Sequence, residues 1–194
     1  MSEHEFLDER RRASEDDYFR KRDRELIEKM RQAAEAERNR TELSAQTGLN
    51  DPALLAELQD LGFTPQTLPV LPLVPIVQIA WAEGGISTAE RTLLLRVARE
   101  RGIAEGSPAD ALLAGWMERK PTNDVFEKAT RLIAAMLDSS APGGSGVLTM
   151  SADDLIKYCE RIAAASGGIL GLGRISGEER ETLAQIATAL KARG

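Results

Sequence analysis

The chain is poor in the residues on which many catalytic and metal sites depend. It has one cysteine and one histidine among 194 residues. An intrachain disulfide is therefore impossible, and a zinc site built from Cys and His lacks ligands. A single free thiol, Cys159, suits a reducing compartment. Any catalytic triad that needs a histidine would have to use His4, close to the first residue. We therefore expect that the protein is not an enzyme and that it binds no cofactor.

Aromatic residues make up only 4% of the chain, and no run alternates apolar and polar residues as a half-buried strand does. The longest apolar run, Leu68 to Ala82, has about fifteen residues and contains three prolines. A bilayer-spanning helix needs roughly 20. The run predicts a buried core helix with an irregular start, and the alternative is a segment lying on a membrane surface. No apolar stretch follows Arg10 to Arg12, so we expect no secretory signal and a cytoplasmic location.

Charge is not of one sign, and it is unevenly distributed. The formal net charge is -6, which argues against a nucleic-acid partner for the chain as a whole. Residues 1–48 hold 13 acidic and 11 basic side chains, so half of that segment is charged. This composition changes near Gly48. We predict two parts, a charged N-terminal helix over 1–48 and a helical bundle over 49–194.

The N-terminal segment contains no proline and no glycine before Gly48 and is rich in strong helix formers. Phe19, Leu26, Met30 and Ala33 follow one another at steps of seven, four and three, which is the spacing of a narrow coiled-coil stripe. One interpretation is a solvated helix that rests on the main domain. The other is a helix that binds a partner protein or a second copy, as a homodimer. The candidate partner-binding residues are Tyr18, Phe19, Leu26 and Met30.

The second part is punctuated by residues that begin helices. A capping residue, followed by proline or by an acid three residues on, marks most starts. These starts are Asp51-Pro52, Ser87 with Glu90, Ser107-Pro108 with Asp110, Thr122 or Asn123, Ser151 with Asp154, and Ser176 with Glu179. The Ser, Pro and Gly-rich loop from Ser139 to Gly146 is the predicted internal hinge. The fold class that follows is an all-α helical bundle.

One helix-turn-helix unit occurs twice. Residues 84–98 and 173–187 agree at seven of fifteen positions, at an offset of 89. In each copy a glycine allows a left-handed exit from one helix, and a Ser and a Glu form a capping box for the next. The two copies predict an approximate internal two-fold symmetry.

The first copy contains the second half of a calcium-loop pattern. Gly84, Ile86 and Glu90 stand where such loops place glycine, an aliphatic residue and glutamate, and Glu83 adds a second carboxylate. The earlier ligand positions are Ile79 and Trp81, which cannot bind a cation. A structural cap and turn is the simpler interpretation. The alternative is a weak divalent-cation site that uses Glu83 and Glu90.

The stretch from Trp81 to Arg91, WAEGGISTAER, resembles the TerB-like (tellurite-resistance) family. The hallmark of that family is an Ala-Asp-Gly-x-Ile-x-x-x-Glu turn between two helices, and the resemblance covers residues 50–194. It implies a compact all-α, non-enzymatic, cytoplasmic stress-response domain that binds metal ions or partner proteins, often near the membrane. Glu83 replaces the family's aspartate, and the second copy has Leu172 at that place.

The stretch from Ser14 to Arg22, followed by Leu26, is similar to the inhibitory helix of the mitochondrial F1-ATPase inhibitor family. That helix also has acids, then Tyr-Phe-Arg, and then a charged coiled coil. The similarity implies a regulatory helix that docks on an ATPase. The function we expect is protein binding by a TerB-like scaffold, with metal sensing or ATPase regulation as the alternatives.

Overall fold

The computed structural model describes the backbone of residues 3–139, 151–166 and 175–191, and side chains within 18–137, 151–165 and 175–191. This part of the chain is helical throughout and contains no strand, which confirms the all-α prediction. The helices are α1 (Glu3–Thr47), α2 (Pro52–Asp60), a 3₁₀ helix (Leu68–Leu73), α3 (Val74–Ala80), α4 (Thr88–Glu100), α5 (Pro108–Glu118), α6 (Asn123–Ser139), α7 (Ala152–Ser166) and α8 (Gly177–Lys191). Apart from Ser139, the predicted hinge loop lies outside the described residues.

The helices begin where the capping residues predict. Asp51 accepts a hydrogen bond of 2.8 Å from the N–H of Ala53 at the start of α2. Ser107 accepts one of 3.1 Å from the N–H of Asp110 at the start of α5. Each bond satisfies one of the amides that a helix N-terminus otherwise leaves without a partner.

The chain divides into two compact units, Met1–Thr41 and Glu42–Gly194. Helix α1 ends at Thr47, where Gly48 adopts a left-handed φ of 73°. The composition change near Gly48 therefore coincides with the end of α1. The second unit begins at Glu42, before the end of α1, because Leu43, Thr47 and Leu49 are buried.

Helix α3 lies at the centre of the second unit. It packs against α4, α6, α7, α8 and the 3₁₀ helix, and Gln78 is its one residue that is not buried. Pro69, Pro72 and Pro75 explain why the segment starts as a 3₁₀ helix, since each proline lacks the N–H that an α-helix would use. The prediction of a buried core helix with an irregular start is confirmed. Within the described residues, no helix combines the length and apolar content needed to cross a bilayer.

Cys159 lies on α7 and is fully buried. Burial raises the pKa of its thiol to about 12. The reactive thiolate is therefore scarce at neutral pH, and Cys159 acts as a core residue.

Candidate functional site

The first candidate site is the turn between α3 and α4, and the structure shows it as a complete capping box. The N–H of Ser87 donates to Oε2 of Glu90 at 2.7 Å, and the N–H of Glu90 donates to Oγ of Ser87 at 3.3 Å. Gly84 has the predicted left-handed φ, 85°. The turn is attached to α5, because Nη2 of Arg91 donates to the carbonyl of Met117 at 3.0 Å. These bonds explain the motif as a rigid junction between helices.

The second copy forms the same capping box. The N–H of Ser176 donates to Oε2 of Glu179 at 2.8 Å, and the N–H of Glu179 donates to Oγ of Ser176 at 3.1 Å. Ile86 and Ile175, one residue before each cap, both pack against the core. Gly173 and the start of the second copy lie outside the described residues. The repeat predicted from sequence is thus a repeat of hydrogen-bond geometry as well.

We expect Ser87→Ala and Ser176→Ala each to lower the free energy of unfolding by about 1 kcal/mol, because each removes one half of a capping box. Urea denaturation followed by circular dichroism would measure both. Thr92→Ala is the control, because its exposed hydroxyl bonds only to the carbonyl of Thr88 within α4. Equal stability of the Ser87 variant and the parent would contradict the role assigned to the box.

The two candidate metal ligands lie in different environments. Glu83 is exposed, whereas Glu90 is only 3% exposed and already accepts the Ser87 hydrogen bond. Burial raises the pKa of the Glu90 carboxyl, the Ser87 bonds oppose this rise, and the charges of Glu179 and Glu83 add to it. Within the described part of the chain, no three side chains of the metal-binding types come together. Glu83 and Glu90 thus remain a hypothetical pair of ligands.

The raised pKa of Glu90 predicts that the effect of replacing this residue on stability depends on pH. A carboxyl whose pKa is higher in the folded state stabilises the fold fully below its unfolded pKa and loses that contribution as the pH rises through its folded pKa. Gln at position 90 keeps an acceptor for Ser87 but carries no charge. The quantity to compare is the melting temperature of Glu90→Gln minus that of the parent. We expect this difference to be larger at about pH 8 than at about pH 4, because only the parent loses the contribution of residue 90 as the pH rises. A difference that is constant with pH would contradict this. Glu105→Gln is the control, because Glu105 is exposed and its charge is not one of those that raise the pKa of Glu90.

Trp81 and Trp116 have structural roles. Nε1 of Trp81 donates to the carbonyl of Trp116 at 2.9 Å, which joins the end of α3 to α5. The ring of Trp116 packs edge-on against Phe63, with centroids 5.9 Å apart. The sequence does not reveal this pairing, because the two tryptophans are 35 residues apart along the chain.

A cleft of about 210 Å³ opens between α3, α6 and α8, and its lining includes Gln78, Phe126, Thr130 and Gln185. Thr130 is 5% exposed, and within the described residues its Oγ1 has no hydrogen-bond partner. Sequence analysis missed this feature, since a threonine in a helix carries no signal of its burial.

Thr130→Val is expected to raise the free energy of unfolding by about 1 kcal/mol, because it replaces a buried unpaired hydroxyl with a methyl group of similar size. Thermal unfolding would measure the change. Thr92→Val is the control, because that hydroxyl is exposed and has a partner. A destabilised Thr130→Val variant would indicate that the hydroxyl has a partner in solution.

The second candidate site is on α1. The large apolar side chains that are exposed in the described part of the chain all lie between residues 18 and 30, with exposed fractions from 50% to 64%. They are Tyr18, Phe19, Leu26, Ile27 and Met30, and we call them the α1 surface. Four of them are the predicted partner-binding residues. Ile27 was not predicted from the sequence; it lies beside the stripe of Phe19, Leu26 and Met30 rather than on it.

Local contacts order one end of the α1 surface. The rings of Tyr18 and Phe19 meet edge to face with centroids 5.9 Å apart. Nη1 of Arg22 donates to the Tyr18 hydroxyl at 3.0 Å. These contacts hold the two aromatic side chains against the helix, and both side chains remain more than half exposed.

Comparison of the chain with models of protein families, with curated proteins and with solved structures gives no match in any of the three. The TerB-like resemblance therefore stays a prediction from the sequence. The class of protein that fold and surface define is an all-helical bundle preceded by a long charged helix with an exposed apolar surface.

Proposed function

We propose that this protein is a non-enzymatic interaction or scaffold protein whose helix α1 binds a protein partner. The supporting observation is the α1 surface, where Phe19, Leu26 and Met30 form one exposed apolar stripe and Tyr18 and Ile27 lie on its two flanks. Scattered apolar residues are normal on a protein surface, but contiguous ones are typical of interaction sites. Removing such side chains from water on binding would supply a favourable free energy of association.

Site-specific photo-cross-linking in the full chain tests this proposal. A photoreactive amino acid replaces Leu26 in one variant and Glu28, on the opposite side of α1, in the other. We expect one discrete cross-linked protein, identified by mass spectrometry, from position 26 and not from position 28. The same products from both positions, or no discrete product, would contradict a docking role for the α1 surface.

We also propose a TerB-like stress-response role in the cytoplasm for residues 49–194. The support for this role is the resemblance of the motif from Trp81 to Arg91 to the TerB-like turn, together with its second copy. A stress link would appear as a growth defect of a deletion strain on tellurite that the intact gene corrects. A deletion strain with normal tolerance would remove the support for this role.

Divalent-metal sensing through Glu83 and Glu90 is a second candidate function. It is favoured by the electrostatics of Glu90, whose buried carboxyl has its pKa raised further by the charges of Glu179 and Glu83. A bound cation would relieve this repulsion. Thermal unfolding after chelator treatment, with and without Ca²⁺, Mg²⁺ or Mn²⁺, tests the idea. Specific binding at 100 times the dissociation constant stabilises the fold by about 2.7 kcal/mol.

A Glu83→Gln/Glu90→Gln double variant is the control for the metal experiment. Loss of the metal-induced rise in melting temperature in this variant would support sensing. A rise that persists would show that the metal binds elsewhere.

ATPase regulation, the remaining alternative, is tested with the full chain in an F1-ATPase assay. Inhibition that Phe19→Ala abolishes would support it.

A further inference from the structure

Basic side chains lie along both edges of the α1 surface. A helix turns by about 100° per residue, which places side chains three, four and seven positions apart on one side. Arg20, Arg24 and Arg31 therefore lie along the Ile27 edge, and Arg22 and Lys29 lie along the other edge. Glu28 projects from the opposite side of the helix, whereas Glu25 lies beside Lys29 on the second edge.

Basic side chains outnumber acidic ones among the described side chains of this part of α1. Residues 18–31 contain six basic and three acidic side chains, a net charge of +3 in a chain whose net charge is -6. In the described part of the chain, none of the six forms an ion pair, whereas Arg40 on the same helix pairs with Glu37 at 2.7 Å. The described side chains around the α1 surface therefore carry a positive excess, which suits an acidic partner.

One carboxylate interrupts the α1 surface. Asp23 lies one helical turn from Phe19 and one turn from both Leu26 and Ile27. Its side chain is exposed. Burial of this carboxylate without a partner would be costly, so whatever covers the surface must offer it a cation or a hydrogen-bond donor.

A second copy of the chain is a poor occupant. In a parallel coiled coil built on the seven-four-three spacing, Asp23 would face Asp23 of the second copy. In an antiparallel pair, the edges that carry Arg22 and Lys29 would meet, because equivalent flanking positions face one another. Both arrangements bring like charges together.

A lipid surface is a poor occupant as well. The arginines and lysine would suit anionic headgroups, but Asp23 would have to enter the acyl boundary together with Phe19 and Leu26. A helix of another protein avoids this cost, because it can place a basic residue opposite Asp23. Polar residues in an otherwise apolar stripe also fix the register of paired helices.

We propose that the α1 surface binds an amphipathic helix of another protein, whose apolar stripe is flanked by Glu or Asp and carries one Lys or Arg opposite Asp23. This inference rests on the proposed function and names the chemistry of its partner. The coiled-coil spacing of Phe19, Leu26 and Met30 selects a helix as the occupant. The acidic flanks would face the positive excess along the two edges.

Three synthetic helices test the proposal against the full-length protein. The first has Leu in its apolar stripe, Glu along both flanks and one Lys opposite Asp23. The second has Leu in place of that Lys, and the third has Lys in place of the flanking Glu. Fluorescence anisotropy measures binding of each labelled helix at about 0.1 M and 1 M salt.

We expect the first helix to bind about tenfold or more tightly than the third, since several exposed ion pairs of favourable sign are replaced by repulsive ones. We expect its binding to weaken at high salt. The Asp23→Leu variant should prefer the second helix, whereas the parent prefers the first. Equal binding of the first and third helices, or no reversal on Asp23→Leu, would overturn the proposal.

Two further measurements exclude the other occupants. Sedimentation equilibrium of the parent should show a monomer, and an oligomer that Leu26→Glu dissociates would overturn the proposal in favour of a second copy. Vesicles of phosphatidylcholine with phosphatidylserine should not bind the parent, and binding that Asp23→Leu leaves unchanged would overturn it in favour of a membrane. If cross-linking at position 26 finds a partner while the synthetic helices show no preference, the inference fails and the proposed function stands.

Discussion

A protein that carries Leu26→Glu together with Met30→Glu is expected to lose partner binding, by far more than tenfold in affinity. Each substitution removes a large apolar side chain from the α1 surface and places a carboxylate there. Truncation of a hot-spot residue, of the kind that clusters near the centre of an interface, costs about 2 kcal/mol or more. Two such changes, each with a desolvation penalty for the new charge, should abolish cross-linking from position 27 to the partner.

The matched control for this variant is Lys21→Glu, which changes the net charge by the same amount on the opposite side of α1. We expect it to retain the partner. Both variants should leave the unfolding transition of residues 42–194 unchanged, because the substituted side chains are exposed and belong to the other unit. Equal loss of binding in both variants would point to a general charge effect.

Ile79→Ala is expected to lower the free energy of unfolding by about 2–5 kcal/mol. Ile79 is fully buried on α3, and α3 packs against four other α-helices and the 3₁₀ helix. Removal of three carbons at this place leaves a cavity that few neighbours can fill without moving. For a protein of this size we expect the melting temperature to fall by roughly 10 °C.

Ile27→Ala on α1 is the matched control, because it is the same substitution at a side chain that is 50% exposed. We expect its effect on the free energy of unfolding to be within about 0.5 kcal/mol. Chemical denaturation of both variants measures the contrast. A large loss at Ile27 with little loss at Ile79 would contradict the assignment of core and surface.

Much of the fold was predictable because its signals are local. Asp51, Ser87, Ser107 and Ser176 each satisfy a backbone amide within three residues of their own position. Such a bond depends on neighbours that the sequence itself supplies. The stripe on α1 is predictable for the same reason, since helical spacing alone places Phe19, Leu26 and Met30 on one side.

The candidate sites were predictable only in part. Sequence spacing identified Glu83 and Glu90 together, but only the packed structure shows that one is exposed and the other buried. The sequence places charged residues around Leu26, yet whether they are paired depends on side-chain positions. The orphaned hydroxyl of Thr130 is likewise invisible in the sequence, because its burial depends on where α6 meets α3 and α8.

The sequence alone determined that this chain is helical, where most of its helices begin, that one capped junction occurs twice, and that α1 carries an apolar stripe. These properties arise from hydrogen bonds and helical periodicity over a few residues. Tertiary structure decided that α3 is the core, that Trp81 is attached to α5 and that Glu90 is desolvated. The physical reason is that burial and long-range hydrogen bonds depend on which helices pack together, and no local pattern specifies that packing.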